Sequence, residues 1–309
     1  MTMFGDMVMQ YGGVPVSTNN FAGFWGSNVY FVDGDNGSDG NNGKKPTKAF
    51  ATIAQAISTA TAGDTIYIKP RVPKTDASDQ EVYEENQTIP YAKHSLSIIG
   101  ATTASTVYGP KVRNSAAGYV FDVYAPNTRI ENLSVHRFNS NSGTGGIYLR
   151  GTDYASSAGS VGSMISNCHI RYASDGVGAG VYVYNGYFSV IQNCTFTNCD
   201  TNIYLRGTGA SRGHQVIGCN FMSHSGTAEG TDAMVLIAGP QTELLIKDCH
   251  FDQATLFIDC SGSVDGLVSN CYFQDGAITP SNGGTAIDTG EGSLDIVGCY
   301  DQDGIVQEA

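Results

Sequence analysis

A six-residue pattern recurs through the second half of this chain and constrains its fold more than any other feature. The pattern is a β-branched apolar residue, a variable residue, Asn, Asp or Gly, then Cys, a variable residue, and Phe or Ile. Repeats of roughly 20–50 residues are typical of solenoids, propellers and arrays. Copies occupy residues 165–170, 191–196, 216–221, 246–251 and 268–273, with a decayed copy at 296–301 and one carrying Leu133 in the Cys place at 130–135.

Each copy predicts two short strands joined by a tight turn. Apolar residues three places before and two places after each Cys indicate strands with one buried face. The Asn, Asp or Gly between them tolerates the left-handed backbone that a sharp turn requires. Stacked copies place equivalent residues about 4.8 Å apart. We therefore expect a column of Asn side chains that hydrogen-bond along the axis.

A second, looser repeat supplies a third strand in each coil. It reads Gly-Ile-Tyr-Leu-Arg at 146–150 and Gly-Val-Tyr-Val-Tyr at 180–184, with related segments at 202–206, 234–237 and 256–259. Its aliphatic residues are predicted to face inward, and its Tyr and Arg residues outward. The predicted fold class is all-β: a right-handed single-stranded parallel β-helix with three strands per coil, one short Asn turn and two variable loops.

Composition narrows the set of partners. The chain has 309 residues and a formal net charge of −13. The sequence has no basic stripe of the kind that binds nucleic acid and no polybasic membrane patch, so neither nucleic acid nor membrane is an expected partner. Met1 to Gly13 contain no Lys or Arg and no long apolar run, so no signal peptide is expected.

The eight cysteines are predicted to be free thiols. Six of them occupy one inward column, where neighbours lie a rung apart, farther than the mean Cβ separation of about 3.8 Å in a disulfide. A buried free Cys behaves as a small hydrophobe. Cys199 and Cys260 lie off this column and are predicted in or near loops.

Residues 1–27 differ from the rest of the chain. They are rich in Met, Gly and aromatic residues and show no periodicity. Disordered leaders usually lack large apolar side chains, so we expect an N-terminal arm that orders against a partner, with residues 28–309 forming the β-helix domain. The side chains predicted to anchor the N-terminal arm are Phe4, Tyr11, Phe21, Phe24 and Trp25.

The segment 33–43 is rich in oxygen ligands. Asp33, Asp35 and Asp39 are spaced in a way that hints at Ca²⁺, which prefers carboxylate and carbonyl oxygens. The EF-hand pattern fails, because no Glu closes the loop and no helix precedes it. A tight acidic turn is the favoured interpretation, Ca²⁺ is the weaker alternative, and no other cofactor is expected.

A helix is predicted at about 50–62, where apolar residues recur at helical spacing before Gly63. A solenoid needs its end covered, and this helix is the predicted cap. The run from Tyr30 through Asp33, Pro46, Phe50-Ala51-Thr52-Ile53 and 62–68 resembles the opening of pectate-lyase-like right-handed β-helix proteins. With the repeats, this resemblance covers residues 28–300.

A shorter resemblance concerns Tyr11-Gly12-Gly13-Val14-Pro15-Val16, which is similar to the start of β-helix structural proteins of tailed phages. One departure from the pectate-lyase-like pattern stands out. A Pro-Gly-x-Tyr turn usually follows the first strand, whereas here Pro70-Arg71 leads into a polar insertion at 70–88.

The resemblance implies where chemistry would lie. β-Helix enzymes that cut polysaccharides place paired carboxylates, or Ca²⁺ with an Arg, on an outward face. Here the carboxylates are scattered and the pectate-lyase signatures are absent, so no catalytic site is predicted; an enzyme would be a polysaccharide lyase or a glycoside hydrolase. His169 and His250 are predicted as exposed sheet residues. The weak catalytic candidates are Asp153, Asp175, Asp200, Arg150 and Arg206.

Outward aromatic residues form the other candidate surface. Such columns, flanked by Arg, stack on sugars, but Tyr and Arg are equally enriched at subunit interfaces. The residues predicted for an interface or a glycan-binding surface are Tyr148, Tyr182, Tyr184 and Tyr204.

Together these features favour a non-enzymatic structural protein of a phage virion. It would be a homotrimer that decorates or cements the capsid, assembled in the host cytoplasm, with residues 1–27 docking on the major capsid protein or another virion protein. The alternative is a tailspike that binds or cleaves cell-surface polysaccharide. A third class, a bacterial carbohydrate-active β-helix enzyme, would normally carry an export signal.

Overall fold

From Thr65 onward the chain winds through three parallel sheets, and each full coil contributes to all three. Among the described strands, only Gln10–Tyr11 with Val14–Pro15 and Tyr300–Asp301 with Gly304–Ile305 pair antiparallel. The computed structural model describes residues 10–11, 14–15, 27–72, 82–104, 109–136, 145–151, 159–171, 179–208, 211–222, 233–252, 256–274, 287–288, 293–301 and 304–305.

The strands, numbered in chain order, divide as follows. Sheet 1 contains β3 (Val29–Val32), β4 (Thr65–Ile68), β7 (Ser97–Gly100), β10 (Arg129–Glu131), β13 (Met164–Ser166), β16 (Val190–Gln192), β19 (Ser211–Arg212), β20 (Gln215–Ile217), β23 (Gln241–Lys247), β26 (Val264–Ser269) and β29 (Ser293–Val297). Sheet 2 contains β5 (Tyr83–Glu84), β8 (Lys111–Arg113), β11 (Ser134–His136), β14 (His169–Arg171), β17 (Thr195–Thr197), β21 (Asn220–Met222), β24 (His250–Asp252), β27 (Tyr272–Gln274), β30 (Tyr300–Asp301) and β31 (Gly304–Ile305). Sheet 3 contains β6 (Gln87–Ile89), β9 (Phe121–Val123), β12 (Ile147–Arg150), β15 (Ala179–Tyr184), β18 (Thr201–Arg206), β22 (Val235–Ala238), β25 (Ile258–Cys260) and β28 (Ile287–Asp288).

Strict register turns the sequence repeat into columns of identical side chains. In sheet 2, Phe196, Phe221, Phe251 and Phe273 are Cα partners in successive strands, and each is fully buried. Their rings stack with centroids 4.6 to 5.1 Å apart. The alternation of the strands puts these rings inside the coil and their polar neighbours outside.

The predicted tight turn between sheets 1 and 2 is confirmed. Asn167 donates from Nδ2 to the carboxylate of Glu131 in the previous coil, 3.3 Å away. A Cβ at Gly218 would lie 2.7 Å from Oδ1 of Asn193, so the Asn193 amide occupies the space that the glycine leaves. The residues of this column all have φ between 52° and 63°: Asn132, Asn167, Asn193, Gly218, Asp248, Asn270 and Gly298.

A second left-handed column lies between sheets 3 and 1, where the sequence predicted only a variable loop. Its members carry backbone hydrogen bonds from coil to coil, such as Phe188 N–H to Arg212 C=O at 3.0 Å and Gly213 N–H to Thr242 C=O at 2.9 Å. The ladder holds even Ser95, Phe188 and Glu243 in a conformation that such residues rarely adopt. The column comprises Ser95, Asn127, Gly162, Phe188, Gly213 and Glu243, with φ between 54° and 70°.

The cysteine column is confirmed: Cys168, Cys194, Cys219, Cys249, Cys271 and Cys299 are buried and free. Each thiol lies near the carbonyl oxygen two residues before it and one in the previous coil, as Cys168 does with Ser166 at 3.3 Å and Ile130 at 3.7 Å. Burial raises the pKa of the Cys194 thiol. Cys199 and Cys260 lie off this column and in or next to loops, as predicted: Cys199 is between β17 and β18, and Cys260 is the last residue of β25 and 1% exposed.

The predicted capping helix is present but shorter, as α1 (Ile53–Thr59). Ile53, Ala56 and Ile57 are buried against the first coils. Thr52 caps its N-terminus, and the carboxylate of Glu85 accepts the free N–H groups of Ile53 and Ala54 at 3.1 and 2.9 Å. The end of the polar insertion therefore holds the start of the cap.

In residues 1–27 the described strands are β1 (Gln10–Tyr11) and β2 (Val14–Pro15), which pair antiparallel. Four of the predicted anchors lie outside the described residues: Phe4, Phe21, Phe24 and Trp25. Of the fifth, Tyr11, only the backbone is described. Among the helices in the described ranges, none is long and apolar enough to cross a membrane.

Candidate functional site

The outward tyrosines of sheet 3 form one continuous stack. Tyr148, Tyr182 and Tyr204 are Cα partners in β12, β15 and β18, and their ring centroids are 4.6 and 4.9 Å apart. Tyr119 joins the stack at 4.8 Å from Tyr148. Its ring fits because Gly145 has no side chain: a Cβ there would lie 2.4 Å from Tyr119.

Stacking leaves little of these rings for a ligand. Tyr148 and Tyr182 are only 9% and 8% exposed, because each ring face is covered by the next ring in the column. Burial raises the pKa of Tyr148 to about 12, so its hydroxyl is protonated at neutral pH. The surface offers ring edges and hydroxyl groups, which suit polar contacts better than face-on stacking with a sugar.

The two predicted arginines lie in the neighbouring outward column, with Tyr184 between them. Arg150 binds both carboxylate oxygens of Asp122, with Nη2 to Oδ2 at 3.0 Å, and its guanidinium lies 4.0 Å from the centroid of the Tyr148 ring. Arg206 lies 5.9 Å from the Tyr184 ring, and its proximity opposes the burial that raises the pKa of Tyr182. Both guanidinium groups therefore pack against tyrosine rings of this face.

The described carboxylates of this outward column lie at its two ends. Asp122 and Asp259 share the column of Tyr148, Tyr182 and Tyr204, separated by five strand steps, or roughly 24 Å at about 4.8 Å per step. Asp288 is the Cα partner of Asp259, one step farther from Asp122. Of the predicted carboxylates, Asp200 is half-buried just before β18, whereas Asp153 and Asp175 lie outside the described residues.

The candidate Ca²⁺ ligands each have a separate partner. Asp33 pairs with Lys69 at 2.7 Å, and Asp35 pairs with Arg71 at 3.1 Å. Asp39 accepts the N–H groups of Ala51 and Thr52 and the Thr52 hydroxyl. Hydrogen bonds and the Lys69 charge lower the pKa of Asp33 despite the opposing effect of burial. The described part of the chain contains no cluster of three or more metal-ligating side chains.

Sheet 2 carries a basic cluster that the sequence analysis missed. Register places Lys111, Ser134 and His169 in one outward column and Arg113, His136 and Arg171 in the next. Lys111 is 3% exposed, and burial followed by the charge of Arg171 lowers its pKa to about 8. The residues are far apart in sequence, so only the register of β8, β11 and β14 reveals the cluster.

Both histidines predicted as exposed are in fact half-buried. Nε2 of His169 is 3.0 Å from the Thr197 hydroxyl, and burial followed by the Arg171 charge lowers the pKa of His169 to about 4. His250 packs against Tyr272, with ring centroids 5.1 Å apart. A groove of about 490 Å³ runs along the Asn turn beside His169, lined by Thr103, Ala104, Asn132, Asn167, Cys168, His169, Asn193 and Thr195.

No protein-family profile matches the chain, and no curated protein does. Solved structures match by shape. A pectin methylesterase from carrot has 13% identity and a TM-score of 0.57, over 90% of this chain and 84% of the other. The pectate lyase Pel9A has 13% identity and a TM-score of 0.54, over 89% of this chain and 77% of the other.

A weaker likeness, with 12% identity and a TM-score of 0.46, is to Geobacillus virus E2 ORF18, over 77% of this chain and 54% of that one. At such identities the comparisons establish a fold and no activity. With three parallel sheets and one strand of each per coil, the chain has the right-handed parallel β-helix fold of pectate-lyase-like proteins.

Proposed function

We propose that this chain is a non-enzymatic structural protein of a phage particle, a homotrimer that decorates or cements the capsid. Residues 1–27 dock it on the major capsid protein or another virion protein. The similarity of residues 11–16 to phage β-helix proteins supports this assignment, and so does the apolar content of the N-terminal arm.

The proposal that the protein is not an enzyme rests on one observation: the outward side chains of sheet 3 bind and stack on one another. Arg150 is bound to Asp122, and the tyrosines are stacked on one another. Glycoside hydrolysis needs two carboxyl groups about 5 to 9.5 Å apart. Asp122, the carboxylate beside the tyrosine stack, is five strand steps from Asp259, far more than that range. The adjacent carboxylates of this column in the described residues, the Cα partners Asp259 and Asp288, lie two and three steps beyond Tyr204 rather than on the stack.

Deleting residues 1–27 tests the docking role. We expect the deletion variant to keep its far-ultraviolet circular dichroism and melting temperature, because α1 already covers the first coil. We expect it to be absent from particles, measured by mass spectrometry of purified virions. A matched variant carrying Phe21→Ala, Phe24→Ala and Trp25→Ala keeps the arm's length but loses apolar anchors, and should also be excluded. Normal incorporation of either variant would refute arm-mediated docking.

The basic cluster favours one alternative, a tailspike-type protein that binds or cleaves an acidic surface polysaccharide. Lys111, Arg113 and Arg171 gather on one face of a chain with net charge −13. Such a patch attracts carboxylate-bearing polymers through screened electrostatics. The groove beside His169 lies next to this face.

Polygalacturonate distinguishes the two functions. The structural role predicts no saturable binding in calorimetry and no release of reducing ends or unsaturated products. The alternative predicts salt-sensitive binding that Arg113→Gln with Arg171→Gln weakens at least tenfold, while Lys247→Gln on sheet 1 leaves it unchanged. Product release would identify an enzyme and overturn the non-enzymatic proposal.

A further inference from the structure

A seam of polar side chains runs inside the core at the corner between sheets 3 and 1. Its first column consists of residues that immediately precede the sheet 1 strands, together with Leu244 inside β23. Backbone N–H groups of the next coil bond to their carbonyl oxygens, as Val190 does to Ser163 and Gln215 to Ser189, both at 2.9 Å. The column reads Leu96, Thr128, Ser163, Ser189, His214 and Leu244, all at most 2% exposed.

The second column lies three residues earlier in each coil. Ser211 and Gln241 are Cα partners, and Gln241 is in turn paired with Val264. Both columns therefore begin and end on apolar core residues, Leu96 and Ala125 at one end and Leu244 and Val264 at the other. The second column reads Ala125, Ser160, Gly186, Ser211, Gln241 and Val264.

The hydrogen bonds of Ser211 fix the tautomer of His214. The Ser211 hydroxyl donates its one proton to the carbonyl of Gly186 at 3.0 Å, so the contact of 2.9 Å with His214 Nε2 requires Nε2–H to be the donor. Nδ1 of His214 is then a lone-pair acceptor in the interior. No described residue meets hydrogen-bond geometry with Nδ1, although the backbone of Gly186 is close enough to the ring to oppose the lowering of the His214 pKa by burial.

Four further polar atoms of the seam also lack a hydrogen-bond partner among the described residues. They are the hydroxyl oxygens of Ser160 and Ser189 and both amide atoms of Gln241, and all four are buried. Buried polar groups are nearly always paired with protein or with ordered water. Gly186 puts no side chain beside them: an added Cβ would lie 2.7 Å from Val183 Cγ1, 3.1 Å from His214 Cε1 and 3.6 Å from Ser189 Oγ.

We propose that the seam binds a row of ordered water molecules, one of which donates a hydrogen bond to His214 Nδ1. The others bridge Ser160, Ser189 and Gln241. The ligand is water because the seam combines donors and acceptors, as the Gln241 amide does, and its two columns contain no carboxylate to hold a cation and no Lys or Arg to hold an anion. The apolar ends confine the row to the coils between Leu96 and Val264.

A high-resolution crystal structure tests the proposal directly. We expect solvent peaks within hydrogen-bond distance of His214 Nδ1 and Ser189 Oγ, and at least one more beside Gln241. Direct pairing of these side chains with one another, with no solvent peak between them, would overturn it. In solution, nitrogen chemical shifts of His214 should report the Nε2–H tautomer, and the Nδ1–H tautomer would contradict the proposed donor.

Oxygen-17 magnetic relaxation dispersion counts long-lived internal waters in the intact protein. Gln241→Met keeps the volume but removes both polar atoms, so the count should fall by one or more. The control is Gln215→Met, which makes the same change at the exposed residue beside His214 and should leave the count unchanged. Equal counts in wild type and the Gln241→Met variant would sink the proposal even if the variant is less stable.

Discussion

Phe221→Ala is expected to lower the free energy of unfolding by about 3–5 kcal/mol, the range for truncating a fully buried Phe. Phe221 is 0% exposed, and its ring is stacked between Phe196 and Phe251 at centroid distances of 5.1 and 4.6 Å. The substitution removes a ring from the middle of a column whose members are fixed by strand register. The coils above and below cannot collapse into the gap without breaking that register.

Urea unfolding followed by circular dichroism measures this effect. The control is Met222→Ala in the same strand, because Met222 points outward and is 42% exposed; its effect should stay within about 0.5 kcal/mol. Hydrogen exchange should become faster in β17, β21 and β24, which flank the gap. Similar losses for the two variants would mean that the Phe column is not a continuous core.

The sequence predicted this column because two independent signals share one register. Asn, Asp or Gly at the turn marks a left-handed backbone, and Cys with Phe or Ile marks the buried positions that follow. The second left-handed column carries this mark at only three of its six members, Asn127, Gly162 and Gly213. Ser95, Phe188 and Glu243 are not typical left-handed residues, and their conformation comes from the hydrogen-bond ladder between coils.

Of the two candidate surfaces, the sequence likewise predicted one and missed the other. The tyrosine column was predictable because Tyr148, Tyr182 and Tyr204 occupy equivalent places in one repeat. The basic cluster was not, because Lys111 lies in a coil that lacks the Cys pattern and meets Arg171 only through two strand pairings. The exposure of His169 was also mispredicted. The alternation of residues along a strand shows that its side chain points outward, but not which neighbouring groups cover it.

Acidification should destabilise the protein between about pH 6.5 and pH 4. Burial lowers the pKa of His214 to about 4 from the ordinary value of 6.5. Between these values the unfolded chain binds a proton that the folded chain does not, so stability rises with pH and is lost as the pH falls. Each step of one in pKa is worth about 1.4 kcal/mol, so His214 alone contributes on the order of 3 kcal/mol.

Two more histidines act in the same direction from sheet 2. Burial, then the charges of Arg171, His169, Lys111 and Arg113, lower the pKa of His136 to about 3. Burial and Arg171 lower that of His169 to about 4. The carboxylate of Asp33, whose pKa is lowered from 3.8, loses its contribution only at still lower pH. A loss of stability between pH 6.5 and 4 is therefore due to the histidines rather than to Asp33.

Urea midpoints measured at pH 7, 6, 5 and 4.5 test this assignment. Because Gln does not titrate, His214→Gln should reduce the acid-induced loss of unfolding free energy by on the order of 3 kcal/mol at most. His94→Gln is the control, because His94 is exposed near the cap, and its pH profile should match that of wild type. The slope is the informative quantity, since His214→Gln also changes stability at pH 7. If the slope is the same with and without the His214 imidazole, this side chain is not held neutral by burial, and the acid sensitivity must come from sheet 2.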